Sequence, residues 1–153
     1  MKLKLSIFIS LLALTMFYAC DKAETTEDLW KLDNEAQFSK ISANPEYTKL
    51  NSSSGRGYIM YKVIEEGNGT RSPYFTEQAK VKYTGWYKRD WTMPDSYTDD
   101  RGDIIKNKII FDTTSKNNVD VPITFKVSGV VDGFSTALQH MREGDKWEVW
   151  MPY

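Results

Sequence analysis

The chain has 153 residues, a formal charge of −1, and 41% hydrophobic and 14% aromatic residues. That is enough apolar material for one packed domain plus a leader, and it excludes a disordered chain. Basic residues are scattered among acidic ones, which argues against nucleic acid as the main partner, and one His with one Cys leaves no plausible metal cluster.

The first segment, MKLKLSIFISLLALTMFYAC, has Lys2 and Lys4 as a positive start, an apolar run from Leu5 to Tyr18, and small Ala19 directly before Cys20. It reads as a lipoprotein signal over residues 1–19, with Cys20 as the lipid attachment site. The implied location is the cell envelope, anchored in a membrane, on the periplasmic or surface side of an outer membrane. An ordinary secretory signal and a membrane-spanning helix are the alternative readings; the run is short for spanning, and the Ala-Cys ending suits lipidation.

Residues 20–56 are polar. Thr26 as N-cap, the acids Glu27 and Asp28, and apolar Leu29, Leu32, Ala36 and Ile41 predict a helix from about Glu27 to Ser42. Pro45 and the run NSSSGRG then predict a flexible joint ending near Gly57. Two readings stand side by side: a spacer holding the next domain off the membrane, or a helix packed on that domain.

From Tyr58 the pattern is mostly strand. YIMYKVIEEG, AKVKYTGWY, VPITFKVSG and DKWEVWMP alternate in turn, with turn-rich segments between them. One helix interrupts them, in DGFSTALQHMREGD, with Phe134, Ala137, Leu138 and Met141 forming an apolar stripe and Gly144 as its stop. Trp147 and Trp150 fall on opposite sheet faces. The fold class is therefore α+β, a mainly antiparallel sheet with one short helix on one face.

The ordered set EEGNGT, VKYTG, IIFDTT and VVDGFSTALQHMREGDKWEVWMP resembles the successive signatures of FKBP-type peptidyl-prolyl cis-trans isomerases. The resemblance covers nearly all of residues 57–153. It implies a curved antiparallel sheet wrapped on the helix, a pocket between helix start and sheet, no cofactor, and proline-containing unfolded or exported polypeptides as partners. It also implies that Tyr83 and Phe111 are pocket walls, that Asp112 is a carboxylate at the rim, and that Val131 presents its backbone N–H to a substrate carbonyl. Val130 lines the side, Gly133 permits the turn, and Phe134 is the floor where the family often has Trp. Phe125 is a further wall, with Ile123 as the alternative if the register slips by one alternation.

Two stretches depart from the family pattern. Residues 88–108 are much longer than the usual short turn and read as an excursion at a sheet edge, either a client-gripping flap or a lineage-specific loop. The family also continues past the Met-Pro at 151–152 into a further loop and a last strand, so the domain reads as incomplete at its C-terminus and the sequence as a fragment. His140 lacks any nucleophile in a recognisable motif and reads as a surface or packing residue. The two function classes are an anchored prolyl isomerase that assists protein folding, and a non-catalytic proline-peptide-binding or chaperone module on the membrane.

Overall fold

The computed structural model describes residues 25–117 and 119–152. The expected signal and the expected lipid attachment at Cys20 lie outside the described residues. Of the described residues, 25–33 belong to one compact unit and those from 34 to 152 to another.

Helix α1 runs Thr26–Ala43, one residue longer at each end than its sequence pattern. Its cap is Thr25 and not Thr26. The Asp28 N–H donates to Thr25 Oγ1 at 3.2 Å, while the Thr25 N–H reaches back to Asp28 Oδ2 at 3.0 Å. This reciprocal arrangement satisfies two otherwise orphaned donors, and a carboxylate in the first turn also suits the helix dipole. The anticipated stripe is not what α1 buries: Leu29 and Leu32 are exposed, and Phe38 is buried. Phe38 packs on Tyr58, with ring centroids 5.4 Å apart. Of the two readings for this helix, residues 34–43 follow the packed one.

The strand ladder begins before Gly57. Strand β1 (Thr48–Asn51) pairs antiparallel with β2 (Tyr58–Glu65), Asn51 facing Tyr58, so the expected flexible joint is the turn of a hairpin. The Ser52 N–H donates to the Gly57 carbonyl at 2.9 Å, and Gly55 sits at φ +73°, a conformation glycine adopts without steric cost. The other edge of β2 pairs with β11 (Lys146–Trp150), giving the order β1-β2-β11. Ile59 and Met60, adjacent in β2, are both buried, so this strand is covered on both faces.

The run AKVKYTGWY forms two strands rather than the single one its alternation predicts. Strand β3 (Gln78–Val81) pairs with β10 (Ile123–Lys126), and β4 (Thr84–Tyr87) pairs with β7 (Ile109–Thr113). The break falls at Tyr83, whose N–H donates to Thr114 Oγ1 at 3.0 Å and whose carbonyl accepts from the Thr114 N–H at 3.0 Å. A side chain thus takes a place that a ladder would otherwise fill, and the chain changes partners there. Among the described residues β4 has β7 as its one partner and β11 has β2.

Helix α2 (Asp132–Leu138) is shorter than its expected pattern, and Met141 and Gly144 lie beyond it. It buries Ser135, Thr136, Ala137 and Leu138. The two hydroxyl residues tolerate burial because they are satisfied locally: Thr136 Oγ1 donates to the Asp132 carbonyl at 2.7 Å, and Ser135 Oγ accepts from Gln139 Nε2 at 3.3 Å. Gly144, at φ +89°, turns the chain into β11. Asp145 ties that turn to the EEGNGT loop, accepting from the Gly67 N–H at 2.7 Å and the Arg142 N–H at 2.8 Å. The glycine-rich loop is therefore a packing element against this turn.

The 88–108 excursion is ordered around one polar residue. It contains the hairpin β5 (Ser96–Thr98) with β6 (Ile104–Lys106), and β8 (Ser115–Lys116) with β9 (Val119–Asp120) forms a second hairpin further along. Asn107, just past β6, is 0% exposed. Its amide donates to the carbonyls of Asp90 at 2.6 Å and Met93 at 3.0 Å, and its Oδ1 accepts from the Asp90 N–H at 2.9 Å. Removing that amide strands three backbone groups. Asn107→Ala is expected to lower stability by about 2–3 kcal/mol in urea unfolding and to make residues 88–108 the earliest site of limited proteolysis. Unchanged stability and an unchanged cleavage pattern would show that water replaces the amide.

Candidate active site

Three aromatic rings meet between the sheet and the start of α2. Tyr83 lies 5.8 Å from Phe125 and 5.8 Å from Phe134, and Phe125 lies 6.0 Å from Phe134, edge-on at 77°. Each comes from a different element. Tyr83 follows β3 and is aimed by its bonds to Thr114; Phe125 stands on β10 opposite Ala79, which leaves room for the ring; Phe134 is in the first turn of α2. Edge-on and tilted contacts at these distances are the favourable geometries for aromatic quadrupoles.

Asp112 is held beside this trio because the Tyr83 hydroxyl donates to its Oδ2. The acceptor carboxylate raises the Tyr83 pKa above its ordinary value, with burial adding to the effect, so Tyr83 is a neutral donor at physiological pH. Phe111 and Val131 border the groove with 68% and 67% of their surfaces exposed. Phe111 rests on bare backbone: a methyl group at Gly85 would lie 2.5 Å from its ring. Val131 is the N-cap of α2, with φ −57° and ψ 148°, so its N–H has no intrahelical acceptor.

Of the residues expected at the site, Tyr83, Phe125 and Phe134 are in mutual ring contact, and Phe111, Asp112 and Val131 stand around them. Val130 is half-buried just before the N-cap. Ile123 is 43% exposed and lies opposite Val81, two residues along β10 from Phe125, so of the two alternatives Phe125 is the one whose ring joins the trio. His140 is exposed just past the end of α2, with Nδ1 2.8 Å from the Thr136 carbonyl.

The groove has a volume of about 750 Å³ and extends from the trio along β4 and β11. Here the sequence motifs give no warning. Trp86 meets Trp150 edge-on at 4.8 Å, and Trp91, from the excursion, lies 5.7 Å from Trp150. Lys108 sits 3.8 Å over the Trp86 ring. Trp150 is oriented from behind, since its Nε1 donates to Glu148 Oε1 at 2.8 Å, and the Tyr47 hydroxyl donates to the same oxygen at 2.8 Å.

A family description for FKBP-type peptidyl-prolyl cis-trans isomerases matches residues 69–153, more than half of the chain. The chain belongs to that family. The macrophage infectivity potentiator of Trypanosoma cruzi is 33% identical over 112 residues, covering 73% of this chain and 44% of that protein. An outer membrane protein MIP of Legionella longbeachae is 34% identical over 94 residues, covering 61% of this chain and 31% of that protein. This FKBP-type chain thus spans less than half the length of these curated relatives. The crystal structure of a peptidyl-prolyl cis-trans isomerase from Pseudomonas syringae shares the fold with a TM-score of 0.54 at 20% identity, over 83% of this chain and 74% of that one.

The Tyr47 support behind Trp150 can be tested by pH. Burial first, and then donation to Glu148, push the Tyr47 pKa from 10.0 up to about 12. Between these values the unfolded chain has lost the phenolic proton while the folded one keeps it, so the stabilisation is complete below pH 10 and disappears as pH approaches 12. In chemical denaturation the wild type should lose stability over that window more steeply than Tyr47→Phe. Parallel pH curves for the two proteins would show that Tyr47 titrates normally.

Proposed function

We propose that this protein accelerates rotation about X-Pro peptide bonds by seating the prolyl ring against Phe134, between Tyr83, Phe125 and Phe111. The reading is carried by the aromatic trio, whose rings come from three separate elements, in a chain of this family. Rotation must break amide resonance across a barrier of roughly 18–20 kcal/mol, but it makes no new bond to carbon. A twisted amide has lost the charge separation that resonance gives its carbonyl. A water-poor aromatic surface therefore favours it over the planar form, and each 1.36 kcal/mol of that preference is worth about tenfold in rate.

The polar groups then position the peptide. The Val131 N–H, at the N-cap of α2, is the donor we assign to a substrate carbonyl, and Asp112, engaged by Tyr83, is the polar rim. No acid or base is needed, which accords with the exposed position of His140. Phe134, smaller than the Trp common in the family and without its indole donor, makes the floor deeper and the catalysis weaker. The substrates we propose are proline-containing segments of unfolded or exported proteins. The envelope location is supported by the name of the Legionella relative and by the sequence up to Cys20, where a lipid anchor would attach.

In an isomerisation assay on a proline tetrapeptide, Phe134→Ala should lower kcat/KM by about ten- to a hundredfold, or about 1.4–2.7 kcal/mol. Asp112→Asn should lose less, His140→Ala almost nothing, and the rate should be nearly flat across neutral pH. A bell-shaped pH profile, or a larger loss from His140→Ala than from Phe134→Ala, would overturn this site. Binding of the peptide without any acceleration would instead assign the protein to the binding-module class.

A further inference from the structure

We propose that the tip of the β5–β6 hairpin, Arg101-Gly102-Asp103, is a docking site for an adhesion receptor. The partner is defined by its chemistry: a divalent cation that takes the Asp103 carboxylate and an acidic pocket that takes the Arg101 guanidinium, as in the integrins that bind the sequence Arg-Gly-Asp. The site lies in the 88–108 excursion, apart from the aromatic groove, and does not depend on the isomerase reading. All three residues are exposed, and Ile104 beside them is 77% exposed.

Asp99 builds this turn from within. Its Oδ1 accepts from the Arg101 N–H and the Asp103 N–H, each at 2.9 Å, and its carbonyl accepts from the Gly102 N–H at 3.0 Å. Every N–H of the tripeptide is therefore held by one residue, whose own N–H closes the loop on the Asp103 carbonyl at 3.0 Å. Gly102 stands at φ +87°, with open space where a side chain would be, so glycine is required by the backbone and not by packing. Below the tip the arms pair from Thr98–Ile104 to Ser96–Lys106. The Asn107 N–H then donates to the Asp95 carbonyl at 2.9 Å, which sets the hairpin on the buried Asn107 network.

The two charged side chains are left for a partner. Arg101 and Asp103 are opposite in charge and two residues apart, yet among the described residues neither forms an ion pair, with the other or with any neighbour. A carboxylate of this kind can give one oxygen to a hard divalent cation whose remaining positions are filled by the receptor and water. A guanidinium forks onto carboxylates through two parallel hydrogen bonds. Ile104 adds an apolar contact next to the acid. A free linear peptide must be ordered when it binds, whereas this loop is ordered beforehand by Asp99 and the ladder below it, which removes part of that cost.

The test is surface plasmon resonance between the whole protein and a purified integrin ectodomain of the Arg-Gly-Asp-binding kind, in buffer containing Mg2+. Binding should saturate, be released by EDTA, and be competed by the soluble peptide Gly-Arg-Gly-Asp-Ser. Asp103→Glu keeps the charge but moves the carboxylate by one methylene, and it should weaken binding by about tenfold or more, as should Arg101→Ala. Asp100→Glu, the same change one residue before the tripeptide, should bind as the wild type does. The substituted side chains are exposed, so thermal unfolding should be the same for all four proteins and folding defects are set apart from binding defects. Absence of binding by the wild type, binding that survives EDTA, or equal affinity for Asp103→Glu and the wild type would overturn the proposal.

Discussion

The hydrogen bonds between Tyr83 and Thr114 organise the site. A threonine hydroxyl that both accepts from the Tyr83 N–H and donates to its carbonyl, at 3.2 Å, satisfies backbone groups that would otherwise need a neighbouring strand. This allows the chain to leave β10 and join β7 within three residues. It also fixes the direction of the Tyr83 ring and brings Asp112, two residues before Thr114, against the phenol. The rings at 125 and 134 then have a third partner already in place. Without the switch, β3 and β4 would continue as one strand, and Tyr83 would have no reason to face the start of α2.

A second constraint comes from β2. It is paired on both edges and covered on both faces, and successive residues support different parts of the domain: Tyr58 lies under α1, Ile59 under Gly133, and Tyr61 stacks on Trp147 at 4.2 Å. The floor of the site is therefore set by a strand that contributes no side chain to the aromatic trio. The position of Phe134 is a property of packing well outside the groove, which is why α2 can be only two turns long and still hold it.

Much of this was legible in the residues. The order of the motifs carried the family, and the members of the trio could be named because each sits inside a distinctive local pattern. What could not be read has physical causes. Alternation passes straight through VKYTGWY, so nothing in its periodicity marks Tyr83 as the break; that depends on Thr114, far along the chain. Strand β1 is polar and four residues long, with one exposed face after another, so it has no apolar face to announce it. Asn107 in a polar loop has the composition of a turn residue, and only its burial reveals that it organises the excursion. Met141 continued the helical pattern up to the stop at Gly144, yet α2 ends at Leu138, and the chain runs on into the Arg142–Asp145 turn that Asp145 pins to Gly67.

The pairing of β11 with β2 bears on how the domain is assembled. Hairpins β1–β2, β5–β6 and β8–β9 are closed by short loops and can form early, whereas β11 must find β2 across most of the domain. The entropy of that closure grows only with the logarithm of the intervening length, but contacts of such long sequence separation slow folding. Trp150 and Met151 arrive with β11, and Met151 is what presses Gly133 into position. A chain emerging vectorially during synthesis thus carries β1, β2 and all three rings of the trio before it has the Met151 contact at Gly133. The last packing contact at the start of α2 is therefore supplied by the residue that follows the last strand of the described chain.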